Sequence, residues 1–217
     1  MKDLIIIGAG DTGRELVDLV ERINAKSEEW NILGFVDGDS QKIGKEIEGF
    51  PVLGDIDFLN SIHDTVYVVC SIGSGIVKKK IISKIQNPNV KYASLVDPNV
   101  LLCKGSSYGQ GCIIYAGTVL ALNATLRDHI YISLNCTIGH DTIIDSYSSV
   151  FPGVNISGRV IIGEGSVVGT GTKIIQGKNI APFTITGAGA VVVRDIEEAG
   201  TYVGVPARSM AAKNKRD

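Results

Sequence analysis

The sequence contains few of the residues that build disulfide frameworks, metal centres and membrane spans. Among its 217 residues are four cysteines and three histidines, and no two cysteines stand in C-x-x-C spacing. We therefore expect no resident metal and no disulfide framework, as in a reduced, cytoplasmic protein. No apolar run approaches about 20 residues, so we expect no membrane span.

Charge of one sign is also scarce. Basic residues number 21 and acidic residues 23, which gives a formal net charge of −2. This balance argues against a polycationic surface for nucleic acid or anionic lipid. A basic run near the end of the sequence, formed by Lys213, Lys215 and Arg216, is interpreted as a solvated tail. The N-terminal residues lead directly into a glycine turn, and we see no signal-peptide cleavage site there.

A hydrophobic repeat of six residues dominates the second half of the chain. Every sixth residue from Leu102 to Val192 is Leu, Ile or Val, except Tyr108 and Thr186. Two residues before each lies a second column in which small side chains prevail. Large and small residues that both recur at six are typical of a hexapeptide β-helix, in which three hexads form one triangular coil. We therefore predict an all-β parallel helix of about five coils without insertions.

Small residues of the repeat allow two more detailed predictions. Cys112 and Cys136 occupy the small-residue column and are interpreted as packing residues. Glycine and asparagine near the expected corners are interpreted as residues that permit a positive φ. The residues concerned are Gly139, Gly163, Gly169, Gly187, Asn123 and Asn135.

The residues before the repeat predict a smaller, half-Rossmann α/β domain. Asp97-Pro98 interrupts its last strand, so we divide the chain into domains at residues 1–97 and 98–217. A short helix is expected over Ile56 to Ile62, and a longer one after Ser74. Strands are predicted near residues 4–7, 32–36, 66–71 and 90–96.

A glycine turn follows the first strand. Gly8, Gly10 and Gly13 stand in G-x-G-x-x-G spacing before an amphipathic helix, and such a turn brings backbone N–H groups close to a phosphate. Asp37 follows the second strand and could accept a hydrogen bond from a ribose hydroxyl. The Ser71–Gly73 turn follows the next long strand, at the edge where ligands of open α/β sheets bind.

Three interpretations of the glycine turn remain open. A dinucleotide requires two mononucleotide-binding halves, and about 95 residues provide only one. A single nucleotide or a nucleotide-linked sugar requires only one such half. A turn with a purely structural role is the third possibility.

The repeats contain two histidines, His129 and His140. His140 lies two positions after an inward isoleucine, where a corner would project it outward, and Asp141 could orient its imidazole. Histidine ordinarily titrates near pH 6.5, which suits general-base catalysis. The alternative is a solvated corner residue without a chemical role, which is our interpretation of His129. Two histidines do not supply the three convergent ligands of a zinc site.

The order of these features resembles one group of bacterial enzymes. A G-A-G-x-x-G half-Rossmann domain, hexads, the segment Ile138–Asp141 and the terminal segment Gly204–Arg208 are similar to the sugar acyltransferases of the left-handed β-helix superfamily. That group includes sialic acid O-acetyltransferases and nucleotide-aminosugar N-acetyltransferases, such as the bacillosamine-pathway enzyme. The resemblance covers nearly the whole chain. It implies a homotrimer that binds acetyl-CoA in the groove between neighbouring helices.

The resemblance also implies roles for individual residues. His140 would be the general base and Asp141 its acidic partner, while the Gly158 N–H would stabilise the oxyanion. The nucleotide-linked sugar would contact Gly8, Ala9, Gly10, Asp11, Thr12, Gly13, Asp37, Ser71 and Gly73. Acetyl-CoA would lie near Gly158, Thr170, Ala188, Val205 and Pro206.

Several positions depart from the family pattern. Ser133 stands where relatives often carry an asparagine that touches the acceptor, and Ser149 stands where many carry a second histidine near the thioester. Asp11 adds a negative charge near the expected phosphates. The resemblance therefore predicts acetyl transfer to an amine or hydroxyl of a nucleotide-linked or sialic-acid-type sugar, with the sugar left open. Two alternatives are acetylation of a small free acceptor and a non-catalytic trimeric scaffold.

Overall fold

A computed structural model describes residues 1–211 and shows an α/β domain followed by a β-solenoid. The basic run of Lys213, Lys215 and Arg216 lies outside the described residues. The elements of the α/β domain are β1 (Lys2–Ile7), α1 (Asp11–Asn24), β2 (Trp30–Val36), β3 (Glu46–Ile47), β4 (Phe50–Gly54), α2 (Ile56–Asn60), β5 (Val66–Cys70), α3 (Gly75–Ile82) and β6 (Val90–Tyr92).

The α/β domain is built on one sheet of order β3-β4-β2-β1-β5-β6. β1 lies at its centre and pairs in parallel with β2 and β5, as expected for a strand buried on both faces. Helix α1 covers one face and buries Leu16 and Leu19, while α2 and α3 cover the other with Leu59 and Ile82. The predicted sequence of strand, glycine turn and helix is confirmed.

Two details of this domain differ from the prediction. No strand was predicted between residues 36 and 66, but β3 and β4 lie there and extend the sheet beyond β2. These short strands have few fully buried side chains, so the sequence pattern does not mark them. The strand predicted over 90–96 is two strands. Its first half, β6, pairs with β5, and its second half pairs with the solenoid.

The solenoid consists mainly of two-residue strands, one per hexad. They are β7 (Leu95–Val96), β8 (Leu101–Leu102), β9 (Ser107–Tyr108), β10 (Ile113–Ile114), β11 (Val119–Leu120), β12 (Thr125–Leu126), β13 (Tyr131–Ile132), β14 (Thr137–Ile138), β15 (Ile143–Ile144), β16 (Ser149–Val150), β17 (Asn155–Ile156), β18 (Ile161–Ile162), β19 (Val167–Val168), β20 (Lys173–Ile174), β21 (Asn179–Ile180), β22 (Ile185–Thr186), β23 (Val191–Val192), β24 (Thr201–Val203) and β25 (Arg208–Ser209).

These strands form three parallel ladders, which are the faces of the triangular coil. The first face runs from β7 through every third strand to β22 and β24, with β25 added antiparallel at its end. The second face runs from β8 to β23 and the third from β9 to β21. The ladders contain eight, six and five strands, so the helix is slightly longer than the five coils predicted. Partial coils at both ends extend the helix beyond the hexads counted in the sequence.

The inward column of the repeat forms the solenoid core. Ile114, Ile132 and Val150 are fully buried, and each such side chain stabilises the fold by about 1.5–3 kcal/mol. Cys112 and Cys136 are also fully buried in this core, which confirms their packing role. The alternation of large and small residues thus fills a narrow triangular interior.

Residues that lie 18 positions apart in the sequence stack on one another at the three corners of the coil. The residues of each corner that have a positive φ are as follows. The His140 corner, which lies between the second and third faces, contains Gly105, Asn123, Asp141, Arg159 and Gly177. The domain-facing corner, which lies between the third and first faces, contains Gly111, His129, Tyr147, Gly165 and Phe183. The open corner, which lies between the first and second faces, contains Gly117, Asn135, Gly153, Gly171 and Gly189.

The prediction of positive φ is right for Asn123 and Asn135 and wrong for four glycines. Each of these glycines follows an inward strand residue, where a Cβ atom would overlap atoms of the next coil or of β24. Glycine is needed at these positions because neighbouring coils approach closely, and not because the backbone is left-handed. The four are Gly139, Gly163, Gly169 and Gly187.

The α/β domain docks on the first face of the solenoid. Ile113 and Tyr131 of that face are buried in the same cluster as α1. At the start of α3, the backbone of Gly75 lies so close to Gly165 that a Cβ atom would overlap it. The buried Lys78 donates to the His129 carbonyl oxygen at 3.0 Å and to Ser149 Oγ at 3.1 Å. Burial lowers the pKa of Lys78 to about 8.

His129 lies within this docking surface, so the prediction of a solvated corner is wrong. Its side chain stacks on Tyr147 with ring centroids 5.2 Å apart and meets Tyr92 edge-on at 4.6 Å. Burial lowers the pKa of His129 to about 4, so the imidazole is neutral at pH 7. A hexad pattern cannot show which corner a second domain covers.

The helices of residues 1–211 include none that is long and apolar enough to cross a membrane.

Candidate active site

His140 and Asp141 form an exposed pair in the turn between β14 and β15. His140 Nδ1 lies 2.8 Å from Asp141 Oδ2. Asn123, one coil earlier at the same corner, donates from Nδ2 to Asp141 Oδ1 at 3.0 Å. The hydrogen bond with His140, followed by that from Asn123, lowers the pKa of Asp141 below its ordinary value. Asp141 is therefore an ionised acceptor at neutral pH.

The ionised Asp141 fixes the proton arrangement of His140. Because a carboxylate can only accept, a neutral His140 donates from Nδ1 and carries its lone pair on Nε2. The His140 side chain is 43% exposed, so a substrate can approach it. An exposed imidazole held by a carboxylate has the geometry of a general base.

Gly158 lies one coil beyond His140 and directly beside its ring. A Cβ atom at this position would collide with His140 Nε2. Gly158 has no positive φ, so space for the imidazole is the reason for glycine here. Its backbone N–H makes no hydrogen bond within residues 1–211 and is a free donor next to the imidazole.

A second site lies in the α/β domain at the glycine turn. A cavity of about 350 Å³ opens there, and it brings together eight of the residues predicted to bind a nucleotide. Its lining is Gly8, Gly10, Asp11, Thr12, Gly13, Asp37, Lys42, Ser71, Ile72 and Gly73. Helix α1 begins at Asp11, and the first N–H groups of a helix are free to bind an anion.

Asp37 is held in place by several donors. The Ala9 N–H and Lys42 Nζ bind its Oδ2 at 2.8 and 3.1 Å, and the Asp39 N–H binds Oδ1 at 2.8 Å. Partial burial alone would raise the pKa of Asp37, but these hydrogen bonds outweigh it and lower the pKa. Since a carboxylate has about four acceptor positions, Oδ1 can still accept a ligand hydroxyl.

Two residues at the glycine turn have roles that differ from the expected ones. Ser71 is buried and donates from Oγ to the carbonyl oxygens of Ile7 and Gly8, so it ties the two turns together. Asp11 is fully exposed and lies 3.6 Å from Arg14. Its negative charge is therefore partly compensated at the mouth of the cavity.

The remaining predicted residues are distributed over the solenoid. Ser133 and Ser149 are buried, and Ser149 Oγ binds Lys78, so the structure does not bring these two side chains to His140. Thr170 and Ala188 are exposed in successive coils at the open corner. The second face separates that corner from Gly158. Val205 and Pro206 are exposed between β24 and β25.

Sequence analysis missed Asn123 and Lys42 as partners of the two key carboxylates. For Asn123 a signal existed, because a step of 18 residues from Asp141 leads to the same corner one coil earlier. Lys42 lies in a polar loop without periodicity, and nothing in the pattern connects it with Asp37. No group of three His, Cys, Asp or Glu side chains that could hold a metal occurs in residues 1–211.

Comparison with known proteins relates both domains to one group. Residues 3–85 match the family model described as the PglD N-terminal domain. No curated protein matches this sequence.

Solved structures match over nearly the full length of the chain. The acetyltransferase domain of PglB from Neisseria gonorrhoeae, in complex with acetyl coenzyme A, is 28% identical with a TM-score of 0.85, covering 96% of this chain and 99% of that chain. WeeI from Acinetobacter baumannii is 26% identical with a TM-score of 0.86, covering 97% and 100%.

PerB from Caulobacter crescentus, in complex with CoA and GDP-perosamine, is 25% identical with a TM-score of 0.84, covering 96% of this chain and 97% of that chain. Another structure of the Caulobacter protein is described as a perosamine N-acetyltransferase. Residues 3–85 thus resemble the PglD N-terminal domain, and the chain as a whole shares the two-domain fold of these solved acetyltransferases.

Proposed function

We propose that this protein transfers the acetyl group of acetyl-CoA to an amine of a nucleotide-linked sugar. The observation that carries the proposal is the pair of His140 and Asp141, held beside Gly158 on a hexapeptide solenoid. The glycine-turn cavity supplies a separate place for the nucleotide. The solved relatives with bound acetyl-CoA or GDP-perosamine support this substrate pair.

The chemistry follows from the proton arrangement of His140. The acceptor nitrogen attacks the thioester carbonyl, and Nε2 of His140 takes the proton that the nitrogen loses. The Gly158 N–H donates to the oxyanion of the tetrahedral intermediate, which collapses and expels the CoA thiolate. The Nδ1–H bond to Asp141 stabilises the imidazolium that forms. A hydroxyl acceptor would follow the same course.

The glycine-turn cavity would hold the nucleotide part of the acceptor. The free N–H groups at the start of α1 suit the diphosphate, and Lys42 adds a positive charge beside them. Asp37 Oδ1 would accept a ribose hydroxyl. One mononucleotide fits this arrangement without a second Rossmann half.

The active site would be shared between copies of the chain. The α/β domain covers the first face of the solenoid, whereas His140 lies at the opposite corner. Gly73 of the cavity packs near Phe151, next to the open corner. A homotrimer that sets the open corner of one copy beside the His140 corner of its neighbour brings the nucleotide to the base. The acetyl-CoA groove would then use Thr170 and Ala188 from one copy.

Asn123→Gly tests the positioning of Asp141. Glycine occupies the same corner at Gly105 and Gly177, so we expect the fold to accept the change. Loss of one hydrogen bond to a charged acceptor raises the pKa of Asp141 and loosens His140. We expect kcat to fall about 3- to 10-fold.

The matched control for this test is Asn135→Gly, which alters the same left-handed conformation at the open corner. Because the open corner also lies in the proposed shared site, the two variants are compared by thermal unfolding, and we expect equal midpoints. A lower midpoint in Asn123→Gly alone would mean that Asn123 acts through stability.

A ligand panel tests the proposed function. Thermal unfolding is measured with UDP, dTDP, GDP and CMP sugars, each with and without acetyl-CoA, and thiol release is then assayed with the sugars that bind. A ligand at a hundred times its Kd raises stability by about 2.7 kcal/mol. We expect acetyl-CoA and one nucleotide class to stabilise the protein and to react together. Stabilisation by acetyl-CoA alone would indicate that the acceptor is a small free molecule. Binding of both ligands without turnover would indicate a non-catalytic scaffold.

A further inference from the structure

A second cavity adjoins the glycine turn on the other side of Asp37. It has a volume of about 310 Å³ and lies at the carboxyl ends of β1 and β2, between α2 and α3. We call it the inter-helix cleft. Its lining is Ile7, Val36, Asp37, Gly38, Asp55, Ile56, Asp57, Ile81 and Lys84.

The cleft combines an apolar floor and apolar walls with a few polar groups. Ile7 and Val36 end the two central strands and form its floor, while Ile56 of α2 and Ile81 of α3 form the two walls. Small-molecule sites typically combine such apolar walls with a few polar groups that fix orientation. The polar groups here stand at the rim.

Asp37 connects the inter-helix cleft with the glycine-turn cavity, because it lines both. A nucleotide with its diphosphate at the glycine turn and its ribose at Asp37 would extend its base into the cleft. This step rests on the proposed function, which places a nucleotide at the glycine turn.

The rim offers mainly hydrogen-bond acceptors. Asp37 accepts the three donors described above and keeps a free acceptor position at Oδ1 for the ribose, and Asp55 Oδ1 accepts the Asp57 N–H at 3.0 Å. Neither the Asp57 carboxylate nor the Lys84 ammonium makes a hydrogen bond within residues 1–211. The cleft therefore presents a free carboxylate and a free ammonium to a ligand.

This set of groups discriminates between bases. Guanine carries two adjacent donors, N1–H and the 2-amino group, which a single carboxylate can accept together, and its O6 can accept from an ammonium. In uracil and thymine the N3–H is flanked by two carbonyl oxygens that a carboxylate would repel. Adenine has no N1–H. We propose that the inter-helix cleft binds guanine through Asp57 and Lys84, so that the acceptor is a GDP-linked sugar.

Calorimetric titration of the full chain with free nucleoside diphosphates tests this assignment. We expect GDP to bind about 10- to 100-fold more tightly than UDP, dTDP, CDP or ADP. Inosine diphosphate, which lacks the 2-amino group, should bind more weakly than GDP. Tighter binding of another base would overturn the assignment and leave the proposed function intact. Binding of acetyl-CoA but of no nucleotide would overturn both.

Asp57→Asn should change which nucleoside diphosphate the protein prefers, and loss of folding cannot produce such a change. The amide of asparagine can accept from N1–H and donate to the 2-oxo group of xanthine, so we expect weaker GDP binding and tighter binding of xanthosine diphosphate. The control is Asp64→Asn, which alters an exposed carboxylate of the same domain that does not line the cleft. We expect this control to keep the preference for GDP. Unchanged GDP preference in Asp57→Asn would overturn the role of Asp57.

Discussion

His140→Ala is expected to lower kcat for acetyl transfer by about 10²- to 10⁴-fold, the usual contribution of a general base. The loss should fall on kcat because, in the proposed mechanism, His140 takes a proton only as the acceptor attacks the thioester. Nucleotide binding should remain unchanged, since the glycine turn lies in the other domain. Steady-state thiol release with the nucleotide-linked aminosugar identified in the panel measures the effect.

Two variants accompany this experiment. His63→Ala removes an exposed histidine of the α/β domain and should retain wild-type turnover. His140→Asn keeps a polar side chain at the corner and should be as impaired as the alanine variant. Wild-type kcat in His140→Ala, with the oligomer intact, would remove His140 from the mechanism.

Gly158→Ala is expected to lower kcat by about 10²-fold, because a displacement of about 1 Å at a catalytic group has an effect of this size. The new methyl group would occupy the position beside His140 Nε2 and force the imidazole away. The backbone N–H is retained, so the loss would report on the position of the base. Since Gly158 has no positive φ, we expect little change in the thermal midpoint.

Gln176 offers the matched control for Gly158, because it occupies the same position one coil further along. Gln176→Ala should leave kcat unchanged. If Gly158→Ala retains full activity, the imidazole has room to move and the close approach seen here is not essential. A large fall in the thermal midpoint would instead show that Gly158 serves coil packing.

The solenoid could be predicted from the sequence because each hexad repeats the same local environment. An inward aliphatic residue every six positions fixes the register, and His140 two residues later must then project outward. The pair His140 and Asp141 could be found in this way. The G-x-G-x-x-G turn was equally visible, since strand, glycines and helix follow one another without interruption.

Contacts between coils and between domains could not be predicted in the same way. Gly139 and Gly158 are small because of neighbours 18 residues away, whereas the sequence suggested a local backbone reason for Gly139. His129 and Ser149 stand at positions that an isolated solenoid would leave accessible. They are buried because α3 inserts Lys78 between them. Such docking depends on two complementary surfaces and leaves no periodic signal.

In the proposed shared site, His140 of one copy would act on a substrate held by the α/β domain of another. Mixed oligomers of His140→Ala and Gly10→Phe chains test it most directly. A Cβ atom at Gly10 meets nothing within 4 Å, and its backbone is extended, so phenylalanine can fill the cavity without disturbing the fold. Each variant alone should be inactive.

In a cyclic trimer that contains both chains, one interface of the three combines an intact His140 with an intact cavity. Differently tagged chains are co-expressed, the mixed oligomers are purified, and thiol release is measured. We expect about one third of wild-type activity. Complete inactivity of correctly assembled mixed trimers would contradict the shared site and place both halves of the site within a single chain.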